Sequence, residues 1–244
     1  MSRFLILQLR PERDASDAEF AAFLGKSGLE PARAHRIRLD AEALPDGLNP
    51  ANYAGIIVGG GPGCVSDAPE DKSPEHARIE AAVMSLMPRV TEGDIPFLGC
   101  CYGIGILGQH LGAPVGKGHY GEPVGTASCT VTQAGRTDAL LADLPDSFDA
   151  FVGHKEALEA LPDGCEHLVS APNCPFQMVR YKSNVYATQF HPEADGADFE
   201  QRIETYKNHG YFPPEEALDL VAMCRAADVH APQKILRNFV QRYG

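Results

Sequence analysis

The sequence predicts an α/β fold: a doubly wound, mostly parallel sheet with helices on both faces and an added β-rich segment, in a single domain over residues 1–244. Three observations predict it. Short apolar runs alternate with helix-patterned stretches as far as Gly112, and two of those runs break abruptly into glycine. After Gly112 the chain turns to short β-like segments, then closes on three helical stretches. No linker, low-complexity tract or internal repeat interrupts it.

In chain order, RFLILQL is a brief apolar run ended by RPERD and predicts a first buried strand. DAEFAAFLGKSG has helical spacing, with Phe20, Phe23 and Leu24 on one face and Gly25 near its end. ARAHRIRLDA is a second strand. YAGIIVGGGPG is a third, running into a glycine and proline loop. SPEHARIEAAVMSLMPRVTEG opens with Ser73 as helix cap and Pro74 in the first turn. IPFLGCC is a fourth strand and YGIGILGQHLG a short helix behind it. GTASCTVTQ, FDAFVGHKEAL, EHLVSAP, FQMVRYK and VYATQFHPE then supply strands and hairpins, and DFEQRIETYKNHG, PEEALDLVAMCRAAD and PQKILRNFVQRY the last helices.

Bulk properties narrow the function. A formal net charge of −12 argues against nucleic acid or an anionic membrane as a partner, because neither polyanion would be attracted. The opening MSRFLILQLRPERD has too short an apolar run for a signal peptide, and no stretch approaches the ~20 apolar residues of a spanning helix. The expected location is the cytoplasm. Seven cysteines without paired spacing do not form a disulfide framework, and Cys165, His167 and Cys174 lack the paired spacing of a structural metal site.

The chemistry concentrates at Gly99-Cys100-Cys101-Tyr102-Gly103, a G-x-Cys-x-G placed where a strand turns into a helix. In the serine version of this pattern the nucleophile sits on a sharp turn, and the glycines let the backbones come close. The helix N-terminus favours a thiolate, and the main-chain N–H of Tyr102 is free to donate to an oxyanion. Cys101 takes the nucleophile position; Cys100 projects the other way, into the packing. A nucleophilic thiol needs a base and the base an orienter. In YATQFHPEAD, His191 ends a strand-like run and Glu193 follows on the same face of extended chain, with Pro192 stiffening the pair.

PFLGCCYG followed far downstream by QFHPE resembles the class I glutamine amidotransferase family, and FVGHKEALEALPDG resembles the segment that GMP-synthase-type amidotransferase domains carry between elbow and histidine. The resemblance implies a flavodoxin-like sheet and a Cys-His-Glu set formed by Cys101, His191 and Glu193. It also implies oxyanion donation from the Gly61 and Tyr102 amides, with Gly63 lining the glutamine pocket. No metal or organic cofactor is implied. One position departs from the family pattern C-x-G-x-Q: Gly105 stands where a glutamine side chain would hold the substrate. Another residue supplies that contact, or the substrate is not free glutamine, or activity is weak.

Two other readings compete for the same residues. Gly103-Ile104-Gly105-Ile106-Leu107-Gly108 is formally a dinucleotide fingerprint with Glu122 as its ribose-binding acid. Glu122, however, does not end an apolar second strand, and the chain has already turned before these glycines begin, so they read better as close helix-on-sheet packing. His154 is a secondary candidate base. Cys100, Cys129 and Cys224 read as small buried hydrophobes. The expected function is release of ammonia from the glutamine side chain through a Cys101 thioester, with the ammonia used by a separate synthetase subunit or simply released. The alternatives are a γ-glutamyl peptide or conjugate hydrolase using the same three residues, and a catalytically decayed binding protein of the same fold. The chain has no phosphate-cradling G-x-x-x-x-G-K-[ST] loop and no room for a synthetase domain. A homo-oligomer is left open.

Overall fold

The computed structural model describes residues 2–210 and 212–244. The strands are β1 (Phe4–Gln8), β2 (Ala34–Arg38), β3 (Gly55–Val58), β4 (Phe97–Cys100), β5 (Val115–Gly116), β6 (Glu122–Val131), β7 (Ser147–His154), β8 (Ala157–Leu158), β9 (Cys165–Ser170), β10 (Met178–Tyr181) and β11 (Val185–Thr188). The helices are α1 (Arg13–Ser27), α2 (Pro74–Glu92), α3 (Tyr102–His110), α4 (Gly196–Tyr206), α5 (Ala217–Ala226) and α6 (Gln233–Tyr243).

A nine-stranded sheet has the order β2-β1-β3-β4-β11-β10-β9-β6-β7. Its first five strands are parallel and follow the flavodoxin-like order. From β11 outward every pairing is antiparallel. The added β-rich segment therefore extends the parallel sheet through its edge, apart from the small β5–β8 ribbon. Hairpins can be added to a sheet edge without a crossover, whereas each further parallel strand needs one.

Side chains alternate across the parallel half. Phe4 and Ile6 pack with Phe23 of α1 and with Ile235, Leu236 and Phe239 of α6. Leu5 and Leu7 face the opposite layer, with Ile79, Val83 and Met87 of α2 and Ile104 and Leu107 of α3. This two-sided burial explains why the strand reads as an uninterrupted apolar run. Each such side chain contributes roughly 1.5–3 kcal/mol of burial. A third cluster joins Phe199 and Ile203 of α4 to Val221 and Cys224 of α5 and to Phe151 of β7.

The helix starts follow local chemistry. Ser73 accepts from the His76 N–H at 3.2 Å and Pro74 stands at the first position of α2, as expected. α1 has Gly25 near its end, as expected. It continues past Gly25 to Ser27 and is capped by Gly28 at φ 73°. Its buried face is Ala15, Ser16, Glu19, Ala22 and Phe23, with Phe20 and Leu24 packed on the flank. Glu19 joins that buried face, accepting from the Gln8 and Arg10 side chains of the first strand and its loop. No helix among the described residues is long and apolar enough to cross a membrane.

Candidate active site

The turn from β4 to α3 is a strained elbow. Cys101 lies at φ 55° and ψ −91°, outside the comfortable regions for a residue with a Cβ. Such conformations cost ~1–3 kcal/mol and persist only where the surroundings over-determine them. Here the Cys101 N–H donates to Thr188 O at 2.7 Å, and the Ile104 N–H donates to Cys101 O at 3.1 Å. Gly99 completes the restraint, because a Cβ there would lie 2.9 Å from the main chain of Gly103. Gly103 itself is sterically undemanding, its nearest contact being 3.8 Å away on Val58. Only the first of the two flanking glycines is required by close approach. Cys100 is wholly buried on the α1/α6 side of the sheet, as its position predicts, while Cys101 is half-buried at the turn.

Strand pairing brings the second half of the site alongside. Thr188 of β11 is in register with Cys100, and the chain leaves β11 to reach His191 and Glu193. His191 is fixed through its main-chain N–H, which donates to Phe151 O at 3.0 Å. Its Nδ1 lies 2.8 Å from Glu193 Oε1, so Nδ1 carries the proton and Nε2 presents a lone pair. Arg202 of α4 donates from Nη2 to the same carboxylate oxygen at 2.7 Å, and the Phe199 ring meets the imidazole edge-on at 5.5 Å. The chain returns to β7, β11 and α4 for one cluster because the His-Pro-Glu segment leads directly into α4, capped by Asp195.

Burial governs the charges. It lowers the His191 pKa below its ordinary value, only partly opposed by Glu193, so the ring is neutral at neutral pH. Burial works against ionising Glu193 as well, but the His191 and Arg202 partners overcome it and hold the carboxyl well below the usual range. With the imidazole neutral, the Arg202 ion pair is what sustains that charge. Burial also pushes the Cys101 thiol up to about 12, more than the nearby Arg10 guanidinium offsets. This desolvation opposes the thiolate expected from the helix N-terminus.

Several groups at the site were not singled out in the sequence. Glu19 is buried and accepts from Arg10 Nε at 3.0 Å, Gln8 Nε2 at 3.1 Å and the Gly60 N–H at 3.3 Å, tying the loops after β1 and β3 together. A Cβ on Gly60 would come within 2.8 Å of both Arg10 and the His191 ring, so the glycine loop packs directly against the imidazole. Glu156 accepts from the Val65 and Ser66 N–H groups, each at 2.9 Å, and from Ser66 Oγ at 2.7 Å. The same carboxylate fills the space beside Gly105, where a Cβ would lie 2.9 Å from Glu156 Oε1. Gly61, Gly63, Cys101, Tyr102, Glu156 and Gln189 are among the residues lining one cleft of about 350 Å³. The signal that could have pointed to Glu19 and Arg202 is a charged residue inside an otherwise inward-facing helical stripe; Glu156 carries no comparable mark.

The rival readings dissolve into structure. Glu122 begins β6 and accepts from His154 Nε2 at 3.0 Å and Gln177 Nε2 at 2.6 Å. His154 Nδ1 is meanwhile 2.9 Å from Glu156 O, so this ring is occupied on both nitrogens. Of the helix glycines, Gly103 faces Val58 of β3, as expected of packing on the sheet, Gly105 faces Glu156 and Val65, and Gly108 faces Leu158 of the β5–β8 ribbon. His167 turns to the carbonyl of Pro175 at 2.6 Å, away from Cys174, whose sulfur instead falls within 4.8 Å of the Glu122 and His154 donor atoms. Burial pushes that Cys174 thiol up to about 12. Cys129 and Cys224 are buried, as expected of packing residues.

A family model described as Glutamine amidotransferase class-I matches residues 27–211. The chain belongs to this family. Among curated proteins it resembles a GMP synthase [glutamine-hydrolyzing] of Neisseria gonorrhoeae, 30% identical over 149 residues, or 61% of this chain and 26% of that protein. A protein of the same description from Thermosipho melanesiensis is 31% identical over 169 residues, covering 67% of this chain and 29% of the relative. This amidotransferase thus spans little more than a quarter of those relatives. A solved glutamine amidotransferase from Thermotoga maritima superimposes with a TM-score of 0.77 at 19% identity, covering 100% of this chain and 98% of that one. A glutamine amido transferase from Methylobacillus flagellatus gives 0.74 at 17% identity, over 100% and 96% of the two chains. At such identities these two likenesses concern the fold.

Proposed function

We propose that this protein hydrolyses the γ-amide of a glutamyl substrate, glutamine in the simplest case, through a thioester on Cys101. His191 Nε2 takes the thiol proton as sulfur attacks the amide carbon. The main-chain N–H groups of Gly61 and Tyr102 receive the oxyanion. The C–N bond then breaks as His191 returns the proton to the departing nitrogen. Water, deprotonated by His191, attacks the thioester; glutamate leaves and the thiol is restored. Glu193, itself charged through Arg202, keeps the Nδ1 proton in place so that Nε2 is the acting nitrogen. The observation that carries this reading is the strained Cys101 elbow, hydrogen-bonded at its amide to the strand that leads into His191 and Glu193.

The Gly105 departure has a local counterpart. Glu156 occupies the volume beside Gly105, and Gln189 Oε1 at the cleft wall is buried without a partner among the described residues. We assign to Gln189 the acceptor role toward the substrate's polar end. The names of the curated relatives support ammonia delivery to a synthetase partner as the wider setting. The test is ammonia release from glutamine, with 6-diazo-5-oxonorleucine as a covalent probe and peptide mass mapping of the adduct. Adduct on Cys101, with loss of ammonia release, is expected. Adduct on another cysteine, or none on a folded protein, would overturn the assignment.

A further inference from the structure

Glu122, His154 and Cys174 take no part in the mechanism proposed above. Among the described residues they are the one group of His, Cys, Asp or Glu side chains close enough to share a metal ion. A carboxylate oxygen, an imidazole nitrogen and a sulfur all lie within 4.8 Å of one another. Glu122 opens β6 and is in register with His154, which ends β7. Cys174 lies in the connection from β9 to β10, which is braced by its own main chain: the Ala171 N–H donates to Cys174 O and the Gln177 N–H to Val169 O, each at 3.0 Å. All three side chains are buried. The backbone thus sets where the donors stand before any ligand arrives.

Hydrogen bonding inside the group is out of balance. His154 Nδ1 lies 2.9 Å from Glu156 O and Nε2 lies 3.0 Å from Glu122 Oε2, so both ring nitrogens face oxygen acceptors. A neutral imidazole has one proton to give. A cation between Nε2 and Glu122 removes the conflict. The Nδ1 proton then stays on the Glu156 carbonyl, the outer hydrogen bond that fixes tautomer and orientation in a metal-bound histidine. Gln177 adds a second such bond, donating Nε2 to Glu122 Oε2 at 2.6 Å. Its Oε1, on the same amide carbon, is buried without a partner among the described residues. An orphaned buried acceptor is costly, and this one is held beside the group as a fourth donor.

The donor set chooses the ion. Imidazole, thiolate and carboxylate together suit Zn²⁺, whereas Ca²⁺ and Mg²⁺ take oxygen ligands. In a tetrahedral zinc site such donors stand roughly 3.3–3.6 Å apart, so a modest contraction completes the group. Glu122 and His154 also line a cleft of about 630 Å³, which gives an ion a way in.

We infer that Glu122, His154 and Cys174 bind Zn²⁺, with Gln177 Oε1 in the fourth position. Binding releases the Cys174 proton to solvent and transfers no electron. The ion clamps the start of β6 and the end of β7 to the β9–β10 connection. Its effect reaches the reaction cleft through Glu156, two residues beyond His154, whose carboxylate holds the Val65 and Ser66 amides and which lines that cleft with Cys101. The site is a structural tie, independent of the thioester mechanism.

The test uses the full chain carrying Cys101→Ser, which removes the competing thiol near His191, after dialysis against a chelator. Titration with Co²⁺ is expected to give a thiolate-to-metal charge-transfer band that saturates at one ion per chain and is displaced by Zn²⁺. The band should vanish with Cys174→Ser and survive Cys165→Ser. Excess Zn²⁺ should raise Tm by about 5 °C or more, a shift lost with Cys174→Ser. No uptake by the folded protein, or a band that survives Cys174→Ser, would overturn the site and leave Glu122 and His154 as a hydrogen-bonded pair. Should Cys174→Ser fail to fold, zinc X-ray absorption on the protein with Cys174 intact decides. One sulfur at ~2.3 Å with nitrogen and oxygen donors at ~2.0–2.2 Å supports the site; no sulfur, or more than one, overturns it.

Discussion

The two sides of His191 are walled by different kinds of atoms. Toward Cys101 the wall combines main chain, from the Gly61–Gly63 loop after β3 and the first turn of α3, with the Glu156 and Gln189 side chains. Toward α4 it is side chain: two phenylalanines, an isoleucine and two arginines. A main-chain wall presents the same N–H and C=O whatever the residue, so it is fixed by approach distance and altered only by changes that move the backbone. A side-chain wall can be changed one residue at a time without disturbing the sheet.

The largest effect should come from the pair of adjacent thiols. Cys101→Ser is expected to cost about three orders of magnitude or more in ammonia release, since the unit formed with His191 fails as a whole. Cys100→Ser should keep most activity yet lower Tm, because a hydroxyl buried in an apolar layer costs ~1–3 kcal/mol unless it finds a partner. Measuring rate and thermal unfolding on both variants checks this, and a reversal would place the elbow one residue off. Next comes Gly99→Ala, which drives a Cβ to 2.9 Å from the main chain of Gly103 and should destabilise the protein and abolish turnover together. Gly103→Ala, with 3.8 Å of clearance, should leave the elbow standing. Equal tolerance of the two would break the claim that this wall is set by backbone approach.

A smaller effect is expected at the orienting carboxylate. Glu193→Gln should lower kcat by about tenfold to a hundredfold, because an amide can still accept the Nδ1 proton but leaves Arg202 unpaired. The pH dependence follows in sign. Burial lowers the His191 pKa, so the neutral base persists below its ordinary value of 6.5, and the acid limb of kcat/KM should fall below that pH. Because burial raises Cys101, alkylation by iodoacetamide should still be accelerating at about pH 9. A rate already level at lower pH would reveal a resting thiolate and restore the helix-dipole expectation.

The smallest effect, and the one that sharpens the comparison most, concerns Gly105. The family glutamine cannot simply be restored, because Glu156 fills its place. Gly105→Gln alone is expected to raise KM by about threefold to tenfold by displacing Glu156 and loosening the loop it holds. Combined with Glu156→Ala, the same substitution should fit and recover part of the loss. A double-mutant cycle on KM reads the coupling, and strict additivity would show that the two positions do not share space.

What was legible in the sequence has a common physical basis. Strand β1 could be read because two-sided burial makes it uniformly apolar, and the elbow because G-x-Cys-x-G is a local pattern that only a tight turn demands. His191 and Glu193 were legible for a similar reason: two residues apart in extended chain, they share a face whatever surrounds them. Glu156 and Arg202 were not. Glu156 acts on the amides of Val65 and Ser66, far along the chain, and nothing in its neighbourhood marks it; the inward stripe of α4 hints at Arg202, but its pairing with Glu193 shows only in the folded structure.

By itself, then, the sequence determined the alternation of buried strands and helices, the sharp turn at Cys101 and the pairing of His191 with Glu193, because each is settled by interactions among residues near in the chain. Tertiary structure alone decided that burial raises the Cys101 pKa, that the Glu156 carboxylate lies against Gly105, and that α4 faces His191 with an arginine turned inward. Those outcomes depend on which distant segments exclude water from a group and which charges they bring in its place, and burial of that kind exists only once the sheet has closed around it.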